Sequence, residues 1–156
     1  MIVGMRVDER LVHGQVAVSW TAALKANCIL VANDECASDD AQRAILRMAK
    51  PAGRKLVIKG VDESQSQINA GATDKYSLFI IVKTIGDAYR LAMGCDSVTS
   101  VNLGNVIPRP GARKISRCVS VTDDDARMLR ELVERGIKVE VRALPNDKPV
   151  PIEDLL

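Results

Sequence analysis

The chain has 156 residues, enough for one ordinary domain with its own core. Apolar residues make up 47% of it and aromatics only 3%, so that core is expected to be aliphatic. A formal net charge of +2 is too small to indicate nucleic acid, and no run approaches the roughly 18 apolar residues of a membrane span. The opening MIVGMRVDER lacks the layout of a signal peptide, because charge follows a short apolar run and does not precede a long one. Cys28, Cys36, Cys95 and Cys118 are widely spaced, with no CxxC pair, and there is one histidine. A classical zinc site is not expected, and the thiols read as reduced core filler in a cytosolic protein.

Strand and helix patterns alternate along the chain. MIVGMRV reads as a strand, followed by a helix with Val16, Trp20, Ala23 and Leu24 on one face. CILVAN at 28–33 predicts the second strand. Ser38 is positioned to cap a helix carrying Ala41, Ile45 and Met48, which stops at Pro51. KLVIKG at 55–60 predicts a strand, VDESQSQINAG a weaker helix ending at Gly71, SLFIIVK at 77–83 a strand, and IGDAYRLAMG a helix ending at Gly94. SVNL at 100–103 is the fifth strand, and GNVIPRPGARKISR at 104–117 the one long irregular stretch. RCVSV at 117–121 predicts another strand. Thr122 then caps a helix with Asp123, Asp124 and Asp125 in its first turn, where the helix dipole favours acid. That helix is expected to bury Ala126, Leu129, Leu132 and Val133 and to close at Gly136. KVEVRAL at 138–144 is the last strand, and PNDKPVPIEDLL reads as a Pro-punctuated tail. This alternation predicts βαβ units: one open, mainly parallel sheet of about seven strands with helices on both faces.

In such a sheet, chemistry collects beyond the carboxyl ends of the strands. His13, the sole histidine, falls there, after the first strand. Asn33 and Asp34 follow the second, Lys83 and Thr84 the fourth, and the basic loop the fifth. A lone histidine is usually just a packed or solvated side chain. Here Gly14 clears space beside the ring, residues 14 to 16 offer free N–H groups at a helix start, and Arg6 and Arg10 lie close by in sequence. N–H groups and guanidiniums together make an anion site, and phosphate is its usual occupant. No GxxxxGK[ST] or post-strand GxGxxG occurs, so a nucleotide cradle is not indicated. An imidazole beside a phosphate pocket points to an acid–base catalyst or to a nucleophile that takes the phosphoryl group itself.

The block Arg6-Val7-Asp8-Glu9-Arg10-Leu11-Val12-His13-Gly14-Gln15-Val16 resembles the signature of the IIB components of the bacterial sugar phosphotransferase system, mannose/fructose/sorbose family. The resemblance continues through Trp20, Val31-Ala32-Asn33-Asp34-Glu35, Val82-Lys83-Thr84, Asn102-Leu103-Gly104 and Val119-Ser120-Val121, spanning nearly the whole chain. It implies a single domain over residues 1–156, a three-layer α/β fold, and a seven-stranded sheet of order 3-2-4-1-5-6-7. It also implies that His13 is phosphorylated on its δ nitrogen by a phosphohistidine of a IIA protein or domain. The phosphate then passes to a sugar held by the membrane IIC and IID components. The protein would be cytoplasmic, peripherally associated with that permease, and would need no metal, cofactor or nucleic acid. One departure stands out: members often read Gly-Gly where this chain has Gly104-Asn105.

Under this resemblance Arg10 is expected to stabilise the phosphate, with Arg6, Asp8, Gly14, Gln15, Lys83 and Thr84 supporting the site. Asp8 is expected mainly to anchor the loop by accepting backbone N–H bonds. Trp20 reads as core. Arg109 and Arg113, in a basic loop with Lys114 and Arg117, are expected to steer an acidic partner. Two other readings stay open from the residues alone: an anion-sensing regulatory module, and a small-molecule enzyme using His13 as general base.

Overall fold

A computed structural model describes residues Met1–Leu156. The central sheet is built from β1 (Ile2–Asp8), β2 (Cys28–Ala32), β3 (Lys55–Lys59), β4 (Leu78–Val82), β5 (Ser100–Asn105), β8 (Lys138–Val141) and β9 (Val150–Pro151), in the order β3-β2-β4-β1-β5-β8-β9. All neighbours run parallel except β8 and β9. Counted over the sheet's own strands, this is the 3-2-4-1-5-6-7 order implied by the resemblance.

The helices form the outer layers. On one face α4 (Val61–Asn69), α5 (Ile85–Gly94) and α6 (Asp123–Glu134) pack on Met5, Val7, Leu30, Ile80, Val82 and Leu103, with Leu91, Leu129 and Leu132 fully buried. On the other, α1 (Gly14–Leu24), α2 (Asp34–Ala37) and α3 (Asp40–Met48) cover Ile29, Val31, Phe79 and Ile81, with Trp20 and Leu46 reaching inward. The runs CILVA and LFIIV are buried at every position, as expected of central parallel strands covered on both faces.

Three details depart from the sequence reading. The 117–121 segment does form a strand, β7 (Val119–Val121), but outside the main sheet. It pairs antiparallel with β6 (Arg113–Ser116). The hairpin closes locally and is tied to β5 by Val106 N–H to the Cys118 carbonyl (2.9 Å) and Ser120 N–H to the Val106 carbonyl (3.0 Å). The seventh place in the sheet goes to two residues of the expected tail, β9. There Pro151 is tolerated because an edge strand needs no further donor.

The second departure is that the helix expected after Ser38 is two helices. Asp39, not Ser38, caps α3, its carboxylate accepting from the Ala41 and Gln42 N–H groups, while Ser38 bonds back to the Asp34 and Glu35 carbonyls. Ile45 and Met48 share a face, but it is the outer one, 66% and 87% exposed; Leu46 is the buried anchor. The third is that Ala23 of α1 is exposed, while Ala17, Trp20 and Thr21 carry the burial. Among the cysteines, Cys28, Cys36 and Cys95 are buried, which pushes their thiols up, and Cys118 is exposed.

Candidate functional site

Parallel register brings the strand ends together. Val7 pairs with Val82 on one side and Leu103 on the other, and Ala32 pairs with Val82. The loops after β1, β2, β4 and β5 therefore open on one end of the sheet, and Glu9 N–H to the Asn105 carbonyl (3.0 Å) ties two of them.

The β1–α1 loop is built around Asp8, 1% exposed. One carboxylate oxygen accepts the Arg10 backbone N–H (2.9 Å) and Arg10 Nε (3.0 Å). The other accepts the second arm of the Arg10 guanidinium (2.9 Å) and, at 3.3 and 3.4 Å, two Arg6 nitrogens. Asp8 thus fixes both the backbone and the fork of Arg10. Arg10 is 39% exposed at its side chain, so the clamped guanidinium still meets solvent. Its bonds to Asp8 hold its pKa above the ordinary value, whereas burial pulls Arg6 below its own. Arg6 is 2% exposed. Its remaining nitrogen donates to Asn102 Oδ1 (2.8 Å) and to the Arg142 carbonyl (3.0 Å). Every nitrogen of Arg6 is spent inside the protein, so it faces Asp8 and not an incoming ligand.

The chain reaches His13 through Leu11, which adopts a left-handed φ of 57° with its side chain buried and its N–H on the Asp8 carbonyl (2.9 Å). A non-glycine residue in this region is strained, and such strain persists where surrounding contacts over-determine the loop. His13 is the N-cap residue of α1 and is exposed. Its ring makes no capping bond; its carbonyl takes the Val16 and Ala17 N–H groups. Gly14 has φ +43° with open space around it. The N–H groups of Gly14 and Gln15 find no acceptor in the chain and point out of the positive end of the helix dipole.

Of the remaining candidates, Lys83 follows β4, is half-buried and forms no ion pair, leaving its charge available at the site. Thr84 caps α5, accepting from Asp87 N–H at 3.0 Å. Arg109 pairs with the buried Asp125, which also takes the Thr122 N–H and completes the capping box of α6. Arg113, Lys114 and Arg117 are exposed and unpaired on the hairpin. An open groove lined by Glu9, Thr84, Gly86, Arg109 and Asp123 runs between the hairpin loop and the starts of α5 and α6. No group of three or more His, Cys, Asp or Glu side chains is arranged to hold a metal.

The sequence reading did not find Asn102 and Gly104 as parts of this network. A Cβ at Gly104 would overlap the Arg6 guanidinium, so glycine is required for Arg6 to lie flat across β5. The expected strand stopped at Leu103 and left Gly104 in the loop; the structure carries β5 on to Asn105, which makes Gly104 a glycine inside a strand, the signal of such a close approach.

Fold and site together define an α/β protein that presents one exposed imidazole at a helix start, three residues after a clamped guanidinium. Residues 2–156 match the family model described as "PTS system sorbose subfamily IIB component". A probable phosphotransferase enzyme IIB component of Streptococcus pyogenes is 36% identical over 163 residues, covering 100% of this chain and 99% of that protein. The mannose-specific EIIAB component of Escherichia coli K12 is 32% identical over 160 residues; the match takes in all of this chain and 49% of that longer protein. Among solved structures, the IIBSor domain of the sorbose permease from Klebsiella pneumoniae superposes with TM-score 0.92 at 27% identity, covering 99% of this chain and 94% of that one. The chain belongs to the sorbose/mannose family of IIB components of the sugar phosphotransferase system, transferases of sugar transport.

Proposed function

We propose that residues 1–156 form one IIB domain that carries phosphate on His13. The single observation that carries this reading is the Asp8 clamp: a buried carboxylate holds Arg10, still open to solvent, three residues before an exposed His13 and two unsatisfied helix N–H groups. A dianionic phosphoryl group bound there meets a guanidinium and the positive end of α1.

An unprotonated ring nitrogen of His13 attacks phosphorus of the phosphohistidine on a IIA partner. The N–P bond to the donor breaks as the bond to His13 forms, and the donor imidazole leaves. Such a transfer needs positioning and neutralisation of the equatorial oxygens more than covalent help. Arg10 and the Gly14 and Gln15 N–H groups supply this, with Lys83 at the rim. Asp8 and Arg6 keep Arg10 aimed. In the second transfer a sugar hydroxyl presented by membrane IIC and IID components attacks phosphorus, the N–P bond to His13 breaks, the neutral imidazole leaves and the hydroxyl proton is released. No helix of this chain is long and apolar enough to cross a membrane. The domain works in the cytoplasm, docking on the permease from outside the bilayer. The exposed Arg113, Lys114 and Arg117 on the hairpin steer IIA.

The test is incubation with phosphoenolpyruvate, the general phosphotransferase proteins and a IIA partner, reading acid-labile phosphate by mass. Wild type is expected to gain one phosphoryl group and His13→Gln none, with the thermal midpoint nearly unchanged because the ring is exposed and unbonded. Persistent acid-labile phosphate on the variant removes His13 from the mechanism.

A further inference from the structure

The Arg6 end of the clamp continues away from His13 into a set of contacts that phosphate chemistry does not by itself require. The Arg6 guanidinium lies over the Trp20 ring, 5.2 Å from its centroid, and the Arg142 guanidinium lies over the same ring at 5.7 Å. Trp20 Nε1 donates to the Ala143 carbonyl (3.0 Å), and Arg6 donates to the Arg142 carbonyl (3.0 Å). Arg142 folds back on its own loop, donating to the Asp147 carbonyl (3.0 Å) and to the Pro145 carbonyl, and Leu144 N–H is held by Asp147 (3.0 Å). On the strand side, Asn102 gives its Oδ1 to Arg6 although this leaves its buried Nδ2 without a partner.

We propose that Trp20, braced by the Arg142–Asp147 loop, is a positioning residue for phosphoryl transfer, fixing the direction of Arg10 through Arg6 and Asp8. The inference rests on the phosphotransfer reading of His13 for its consequence but not for its geometry. Arg6 is a long, flexible side chain tethered at its tip. Asn102 Oδ1, the Arg142 carbonyl, the Asp8 carboxylate and an aromatic face restrict it to one plane. Asp8, fully buried, takes its orientation from the Arg10 backbone N–H and the two guanidiniums that it holds. Removing the ring takes away the face against which Arg6 lies flat and leaves its tilt to its hydrogen bonds alone, and Asp8 shifts with it. Arg10 loses its fixed aim while keeping its charge and its place in sequence. A purely core-filling Trp20 predicts something different: lower stability, with the transfer rate of the folded protein unchanged.

The experiment compares wild type, Trp20→Phe and Trp20→Leu on the full chain, below the thermal midpoint of each. The Arg10 Nε–H resonance in ¹⁵N-labelled protein reads the bond to Asp8 directly, with no need for turnover. Transfer from phospho-IIA is measured alongside and split into kcat and KM. Trp20→Leu is expected to lose or broaden the Arg10 resonance and to lower kcat about tenfold, since a misplacement of about an ångström costs up to about a hundredfold. KM for phospho-IIA stays put, and Trp20→Phe, which keeps a ring against Arg6, restores most of both. If Trp20→Leu fails to fold, Asn102→Ala reads the same link from the strand side and is expected to move both signals the same way. An unchanged Arg10 resonance with unchanged kcat in a folded Trp20→Leu or Asn102→Ala protein overturns the proposal. If wild type never takes phosphate on His13, the functional reading fails and the role in transfer falls with it, while the Arg10 resonance still decides whether the relay exists.

Discussion

Arg6 and Arg10 look equivalent in the RVDER block, and the structure separates them. Arg6 is buried with all its nitrogens bonded; Arg10 is clamped on one side and open on the other. Their substitutions are therefore expected to fail in different ways. Arg10→Ala removes the charge-assisted contact to the developing phosphate that we propose for it. It should slow transfer by about two orders of magnitude, some 2–3 kcal/mol, in single-turnover assays, and lower the thermal midpoint as well, because the buried Asp8 loses its two shortest side-chain bonds. Equal rates in wild type and variant take Arg10 out of the site. Arg6→Leu also leaves a buried carboxylate short of a partner but removes no group that faces a ligand, so its main effect is on stability, about 3 kcal/mol and a midpoint lower by about 10 °C in a calorimeter. Nothing in the spacing of the two arginines distinguishes these roles. Residues two and four positions from one another around a strand end point to whichever neighbours the fold supplies, and those neighbours, Asn102, Gly104 and Arg142, lie about a hundred residues away or more.

At the scale of elements, the helix starts and the buried strands were legible because each is encoded locally. Thr122 caps α6 through a side chain three residues from its partner, and LFIIV is apolar at every position. The surroundings of α3 and the hairpin were not. Ala41, Ile45 and Met48 have helical spacing and point the wrong way, because the tertiary contact that orients α3 is Leu46. The β6–β7 hairpin escaped detection because one of its strands is polar and the other looks like a sheet strand. Its placement also refines the docking expectation. Arg109 is engaged by Asp125 in the cap of α6, so reversing it to Glu disturbs that helix as well as any partner. The cleaner pair is Arg113 and Arg117, both exposed and without an acidic partner. Reversing both to Glu is expected to lower the second-order rate of transfer from phospho-IIA at low ionic strength. The difference should fade as salt rises towards about 0.5 M, where screening acts within a few ångströms. A wild-type rate in low salt excludes the hairpin as a docking surface.

Across the whole molecule, chemistry and stability lie at opposite ends of the sheet. The loops around His13 sit beyond the carboxyl ends of the strands, whereas the 3₁₀ turn Ile152–Asp154, reached through β9, returns along β8 towards its amino end. Ile152 is fully buried in the larger core cluster. Ile152→Ala is expected to cost about 2–4 kcal/mol in chemical denaturation while leaving the transfer rate per folded molecule at its wild-type value. A rate that falls with stability would mean the two ends communicate. Fold class followed from the alternation of patterns, and strand order from a resemblance that runs the length of the chain. What the sequence withheld was the two-residue strand, which is too short to carry any periodicity.

That same short strand bears on how the protein behaves in a crowded solution. The sheet ends on one side at β9, only two residues long and carrying Pro151, which has no N–H to offer a further strand. On the other side it ends at β3, which begins and ends in Lys55 and Lys59. Both margins are thus poor templates for another backbone, so encounters between copies do not grow into extended β-pairing. A carrier that must meet one protein, let go and meet the next benefits from contacts made only through loops and side chains, which separate quickly. Restoring hydrogen-bonding capacity and apolar character at the margins, by Lys55→Val, Lys59→Val and Pro151→Val together, is expected to leave the fold intact and to raise light scattering in concentrated solution.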